Sequence, residues 1–338
     1  MAALTDLQLD DLNRRLAAAG VVDLRPLAGG ASSLTFAGMR GDRRVVVKVA
    51  PPGVEPILHR DVLRQSRVIR ALGPTAVPVP EVLWEDRGDP PDVPPLFIMS
   101  FLDGDSLEPL FDLDAAGGQP TQVAERLRDA ARAMARLHRL EPTRLGLGTE
   151  TITDPSQEIQ RWYRLLETVD PTLVPGWQDV AAQLRSSIPA ALPPAVVHGD
   201  FRLGNLRCVG DRVTAVIDWE IWSLGDPRVD AGWFLINADP ATYGRQTPYR
   251  GSTPSPTELA AIYAAALGRE VPDLPWFQGL ACFKSAATWS LIVKHNRRRS
   301  TPVRDVETMA THLPALLARA ASFLTHDAPE TLAPKGGY

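Results

Sequence analysis

The sequence predicts an α+β protein with a small β-rich N-terminal lobe and a larger, mostly helical C-terminal lobe. Two observations lead there. Short apolar runs separated by turns fill most of the first hundred residues. Beyond Gln122 the apolar positions shift to spacings of three and four. No internal repeat interrupts that division.

The elements follow in order. Thr5 is placed to cap a helix carrying Leu7, Leu9, Leu12 and Leu16, which stops at Gly20. Three strand-like runs come next, "VVDLRPL", "LTFAGM" and "RRVVVKVA", with turns at "GGASS" and "RGDR". A helix is expected over Ile57 to Leu72, broken by Gly73 and Pro74. Two more strands, "EVLWE" and "PLFIMSFL", complete the first lobe. A linker near Asp103 and Gly104 leads to "QVAERLRDAARAMARLHRL", where Val123, Leu127, Ala130, Met134 and Leu137 share one helix face. Further helical patterns lie near 156–169, 177–187, 256–267, 275–296 and 303–325. One polar hairpin is expected among them, its strands being "PAVV" and "VTAVI". Segments 86–95 and 239–255 read as loops. The expected division is 1–102, 103–326 and a tail at 327–338.

Composition narrows the function classes. The chain has 338 residues, 44% hydrophobic and 22% charged, enough for a substantial core. A net charge of −4 argues against a broad nucleic-acid or membrane-surface binder. Cys208 and Cys282 are too few for a disulfide scaffold or a cysteine metal site, so a reducing, cytoplasmic setting is expected. The N-terminal stretch does not read as a signal peptide, and no window resembles a membrane span. Prolines cluster at "PPGVEP", "VPVPEV" and "DPPDVPP", which read as stiff connectors. Nothing sets the choice between monomer and dimer.

The chemistry concentrates in "VVHGDFRLGNLRCVGDRVTAVIDWE", Val196 to Glu220. Asp200 and Asn205 are five apart, and Asp218 lies thirteen further on, after an apolar run. A His-x-Asp-x-x-x-x-Asn stretch followed by a strand-end Asp is the arrangement used for phosphoryl transfer. An Asp can take the proton of an attacking hydroxyl, while an Asn oxygen and a second Asp suit Mg²⁺ on nucleotide phosphates. The alternative is turn chemistry, with Asp200 and Asn205 in Asx-turns and Asp218 capping a helix.

"VVHGDFRLGNL…AVIDWE…GDPRVD" resembles the aminoglycoside phosphotransferase family, small-molecule kinases with a bilobal protein-kinase-like fold. The resemblance runs from about Leu24 to Leu235. It implies that Asp200 is the catalytic base and that Asn205 and Asp218 hold magnesium. It implies that His198 braces the loop, and that Asp226 and Asp230 tie the helical lobe together. No long activation segment follows Asp218, which fits a site open to a small molecule.

The same resemblance places a phosphate-covering loop at "LAGGASSLTF", with Gly30, Ser32 and Ser33; taken alone, those residues favour a plain hairpin turn. Lys48 resembles the strand lysine that contacts nucleotide phosphates. Kinases pair that lysine with a helix glutamate. Here Gln65 stands at that place, and Asp61, one helical turn earlier, is a second expected partner; the nucleotide itself is a third. "PLFIMSFLDG" resembles the lobe-joining segment, with Met99 behind an adenine ring and the Ser100 and Leu102 backbones beside it.

The acceptor side is least legible. Trp222, Trp233 and Trp289 are candidate lining residues, though aromatics at helical spacing are commonly core. The basic run Lys294 to Arg299 suits an anionic acceptor or a solvated helix end. The motif style also looks like kinase domains associated with acyl-CoA dehydrogenases. The expected function is ATP-dependent (or GTP-dependent) transfer of a γ-phosphoryl group to a small-molecule hydroxyl. The alternatives are a non-catalytic nucleotide-binding module, and a hydroxyacyl-CoA-type kinase in place of an antibiotic kinase.

Overall fold

Strand periodicity builds the N-terminal region and fixes which side of it faces the cleft. A computed structural model describes residues 6–27, 33–111, 119–244 and 247–325. Helix α1 (Asp6–Ala18) leads into β1 (Val21–Pro26), β2 (Leu34–Arg40) and β3 (Arg43–Val49). Helix α2 (Val62–Leu72), β4 (Val82–Asp86) and β5 (Leu96–Ser100) follow. The five strands form one antiparallel sheet in the order β1-β2-β3-β5-β4.

Residues two apart share a sheet face. Val45, Val47 and Val49 therefore pack with Leu12 and Leu16 of α1 on the outer face. On the inner face Phe97 and Met99 join Val62, Val68, Ile69 and Leu72 of α2. Lys48 falls between valines of the outer set, so its register sends it to the inner face, opposite Thr35 and Phe97. Helix α2 starts five residues later than the sequence suggests. Leu58–Arg60 form a separate 3-10 turn, and Asp61 caps α2 by accepting the Arg64 N–H at 3.0 Å.

The chain leaves the sheet region through Gly104, whose φ is 106°. A Cβ there would stand 2.4 Å from the Cys208 carbonyl oxygen, so glycine is required. Asp105 and Cys208 then exchange backbone hydrogen bonds of 3.0 and 2.9 Å, docking the crossing segment on the second region.

Helices dominate from there. They are α3 (Pro120–His138), α4 (Pro155–Leu166), α5 (Trp177–Ser186), α6 (Arg228–Ala238), α7 (Pro256–Leu267), α8 (Leu274–Asn296), α9 (Arg304–Ala310) and α10 (Leu313–Thr325). Short strands lie among them: β6 (Ile152–Thr153), β7 (Ala195–Val197), β8 (Leu206–Val209), β9 (Arg212–Val216) and β10 (Ser223–Gly225).

Two sequence expectations are corrected. The strands "PAVV" and "VTAVI" do not pair with each other. Strand β9 pairs with β8 across the tight Gly210–Asp211 turn, while β7 pairs with β10 in a second sheet that also holds β6. The helix expected over 303–325 is two helices, because Pro314 has no N–H to continue one helix and belongs in the first turn of another.

Helix α8 is buried nearly all round, with Phe277, Leu280, Cys282, Phe283, Ala286 and Val293 in the core. Helix α6 crosses it closely at Gly232, where a Cβ would stand 2.4 Å from the Phe277 carbonyl oxygen. No helix among the described residues is long and apolar enough to cross a membrane. Gly232→Ala is expected to push α6 off α8 and lower the unfolding free energy by about 1–3 kcal/mol, read by urea denaturation. An unchanged midpoint would show that the crossing has room.

Candidate active site

The polar loop after β7 is held from beneath by one carboxylate. Asp230, fully buried in the first turn of α6, accepts the His198 N–H at 2.6 Å and the Gly199 N–H at 2.8 Å. The His138 ring meets the same carboxylate at 3.2 Å and is itself oriented by Tyr263 at 2.8 Å. Burial raises the Asp230 carboxyl, but His138 and His198 outweigh it and hold it below the usual carboxylate range. The His198 ring accepts the Asp200 N–H at Nδ1, 3.1 Å, so Nε2 carries the proton and donates to the Ile217 carbonyl at 2.8 Å. One imidazole thus links the loop bearing Asp200 to the residue before Asp218. Asp226 accepts from the wholly buried Arg228 at 2.7 Å and from the Leu192 N–H at 3.0 Å, tying the start of α6 to the preceding segment.

Three donors surround the Asp200 carboxylate. Trp233 Nε1 donates at 2.7 Å, Arg202 Nε at 3.1 Å, and Asn205 Nδ2 at 2.7 Å. Arg202 also pairs with Glu108. Burial works against the Arg202 charge, yet Asp200 and Glu108 prevail and push it above its ordinary value. Asn205 commits its amide nitrogen to the Asp200 carboxylate and carbonyl.

Asp218 follows β9 with a left-handed φ of 66°, a conformation that aspartate tolerates better than most residues. The turn aims its carboxylate at Lys48, with Nζ to Oδ1 at 2.9 Å. Lys48 is 8% exposed and donates also to Gln65 Oε1 at 3.1 Å. Burial raises the Asp218 carboxyl, but the Lys48 charge and hydrogen bond overcome that and hold it low. Gln65 therefore stands beside Lys48 as a neutral partner. Asp61, the other expected partner, is occupied as the cap of α2.

The Asn205 side-chain oxygen and the second oxygen of Asp218 are hard donors of the kind magnesium takes. Among the described residues no cluster of three or more His, Cys, Asp or Glu could hold a metal ion. The pair suits a cation that keeps phosphate and water among its ligands.

A cleft of about 510 Å³ opens between sheet and helices. Lys48, Met99, Ser100, Leu102, Asn205 and Asp218 line it together with Thr35, Val46 and Ile217. The Ser100 N–H donates to the Glu81 carbonyl at 2.9 Å, so that group is not offered to a ligand. Gly30 and Ser32 lie outside the described residues. Ser33 is fully buried and does not line the cleft. A separate cavity of about 350 Å³ beside Tyr243, His312 and Arg319 shares no residue with the cleft.

The three candidate acceptor tryptophans part company. Trp233, 7% exposed, touches Asp200. Trp222 is 1% exposed and packs under the Arg64 guanidinium at 4.1 Å, so it is core. Trp289 stacks on Phe111 with ring centres 5.3 Å apart. In the basic run, Lys294 donates to the Thr168 carbonyl and Arg297 pairs with Glu307 at 3.1 Å; no residue of the run lines the cleft. The sequence reading missed Glu108, Arg202 and Lys284. Arg202 was visible two residues past Asp200. Lys284 carried the signal of a cation within the apolar run of α8.

A family model for the phosphotransferase enzyme family matches residues 23–280. Chicken acyl-CoA dehydrogenase family member 11 is 27% identical over 285 residues, covering 79% of this chain and 36% of that protein. Mouse acyl-CoA dehydrogenase family member 10 is 28% identical over 223 residues, 64% of this chain and 20% of that protein. The chain therefore spans a minor part of the curated relatives it matches. A Ralstonia eutropha protein assigned as an aminoglycoside phosphotransferase superposes with a TM-score of 0.75 at 21% identity, covering 96% of this chain and 99% of its own. The aminoglycoside phosphotransferase APH(4)-Ia, in complex with AMP-PNP and hygromycin B, gives 0.61 at 17% identity, covering 92% and 99%. At these identities the structures share the fold.

Because Asp230 titrates below its ordinary value, its contribution to stability is full above the unfolded-chain value of about 3.9. It is lost as pH falls through the lower folded value. Asp230→Asn is expected to be about 2–4 kcal/mol less stable than the parent at pH 7, with the gap closing below about pH 4. Urea unfolding across pH checks this; a gap independent of pH would contradict a charged Asp230.

Proposed function

The chain belongs to the phosphotransferase enzyme family, and from that premise we propose that it is a small-molecule kinase. It takes ATP, or GTP, with Mg²⁺ and moves the γ-phosphoryl group to a hydroxyl of a small acceptor. The observation that carries the reading is the convergence of Lys48, Asn205 and Asp218 on one cleft beside Asp200. Residues 1–102 serve the nucleotide, and 103–326 supply the reacting groups and the acceptor side. Two buried, unpaired cysteines fit a reducing cytoplasm.

In this reading the adenine ring lies against Met99, meeting the Ser100 carbonyl and the Leu102 N–H. Lys48 turns from Asp218 toward the phosphates, and the neutral Gln65 continues to hold it by a hydrogen bond. Asn205 and Asp218 would hold magnesium, which would supply charge neutralisation and orientation of the polyphosphate. The acceptor oxygen bonds to the γ-phosphorus as the bond to the β–γ bridging oxygen breaks. The hydroxyl proton passes to Asp200, whose carboxylate is kept in line by Trp233, Arg202 and Asn205. The relatives' names carry acyl-CoA dehydrogenase, so a hydroxyacyl-CoA joins aminoglycosides, amino alcohols and sugars as an acceptor class.

A second reading follows from Gln65, which leaves Lys48 without its usual acidic helix partner. It is a nucleotide-binding regulatory module without transfer. The two separate in a phosphate-transfer screen over the four acceptor classes, read by mass spectrometry beside Mg·ATP binding. Binding with no transfer to any acceptor favours the module. For the kinase, Asp200→Asn is expected to retain Mg·ATP affinity and to lose about 10²–10⁴-fold in transfer rate. Full turnover by that variant would remove Asp200 from the reaction.

A further inference from the structure

Lys284 occupies a position that the apolar pattern of α8 reserves for core. It is 6% exposed, between the buried Phe283 and Ser285. Its Nζ donates to the Gly199 carbonyl. The same nitrogen stands 4.0 Å from the Trp233 ring centre and 5.5 Å from that of Trp162, both within cation–π range. Among the described residues no carboxylate lies within ion-pair distance of it. Burial lowers its pKa below the ordinary lysine value, and the Asp200 and Glu158 charges oppose that only in part. An unpaired buried lysine is costly, so its retention calls for a task.

Two routes lead from this amine to Asp200. Gly199 has a left-handed φ of 86° and no room for a Cβ, which would stand 2.7 Å from the Ile221 carbonyl oxygen. Its N–H is fixed by Asp230 and its carbonyl by Lys284, so the residue that delivers Asp200 is gripped at both ends. The second route runs through Trp233, whose indole face meets Lys284 and whose N–H meets Asp200 at 2.7 Å. The same turn of α6 is braced from α8 again. Asn237 donates to the Trp233 carbonyl at 2.9 Å, Tyr243 donates to Asn237 at 3.1 Å, and Tyr243 meets Ser285 at 3.0 Å.

We propose that Lys284 is a positioning residue for phosphoryl transfer, holding the Gly199 peptide and the Trp233 indole so that the Asp200 carboxylate keeps its aim. The proposal rests on the kinase reading, and it acts on turnover and not on nucleotide binding, because Lys284 lines no part of the nucleotide cleft.

The test compares the parent with Lys284→Met and Lys284→Arg in the full chain. Mg·ATP affinity is measured by calorimetry. Turnover is measured as ATP hydrolysis without acceptor and as transfer to any acceptor the screen provides. The Trp233 indole N–H resonance is assigned by its loss in Trp233→Phe. Lys284→Met is expected to keep Mg·ATP affinity and the KM for ATP. It should lower kcat by about 100-fold, the scale of a reacting group displaced by about 1 Å. Its Trp233 resonance should shift, and Lys284→Arg should restore part of both. Unchanged kcat in Lys284→Met, or lost kcat with an unmoved Trp233 resonance, overturns the proposal. If Lys284→Met fails to fold, Lys284→Gln takes its place under the same readouts. If the parent itself transfers no phosphate, the kinase reading fails. The resonance then still decides whether Lys284 sets the Trp233–Asp200 contact.

Discussion

The candidate site depends on one buried carboxylate. Asp230 has no solvent to satisfy it, so it must be met by donors, and the donors it takes are the peptides of His198 and Gly199. That requirement fixes the loop on α6. Asp200 is then set by its own N–H on the His198 ring, and the same ring reaches the residue preceding Asp218. Removing the carboxylate leaves two buried N–H groups and the His138 ring without their partner. The site and the core of the helical region are therefore one hydrogen-bonded object, with the chemistry at its exposed edge.

A second constraint joins the two regions. Lys48 arrives from the sheet because the register of β3 gives it the inner face, and it meets Asp218 across the cleft. With Gln65 as its neutral neighbour, the Lys48 charge is balanced by a residue of the opposite region. In a kinase with a helix acid, the lysine is balanced within its own lobe. Here the lysine is placed by a contact that crosses the cleft. Under the proposed kinase reading, nucleotide phosphates would offer Lys48 another anion and free Asp218 for a cation.

Where the sequence was legible, the cause was local. Strand alternation in "RRVVVKV" and helical spacing in "QVAERLRDAARAMARLHRL" each reflect a single element with one buried face. The strands from Ala195 onward were misassigned because two apolar runs close in sequence entered different sheets, and partner choice is not encoded in periodicity. Helix α8 gave no amphipathic signal because it is buried on nearly all sides, so the one mark of Lys284 was a cation set within an apolar run. Trp222 and Trp233 are both apolar to a sequence reader; one covers Arg64 and the other touches Asp200.

The sequence by itself determined the two-part α+β division and the chemical types that phosphoryl transfer needs. Residue types and short spacings are properties of the chain, so Asp200, Asn205 and Asp218 could be named before any fold was known. Only the tertiary structure decided which groups meet. Gln65 and not Asp61 lies beside Lys48, because a capping bond at Arg64 takes the Asp61 carboxylate. Arg202 and Trp233 meet Asp200, and Lys284 meets the preceding Gly199, through contacts spanning between two and 85 positions. The long-range contacts depend on how α6 and α8 cross, and the two helices approach closely at Gly232.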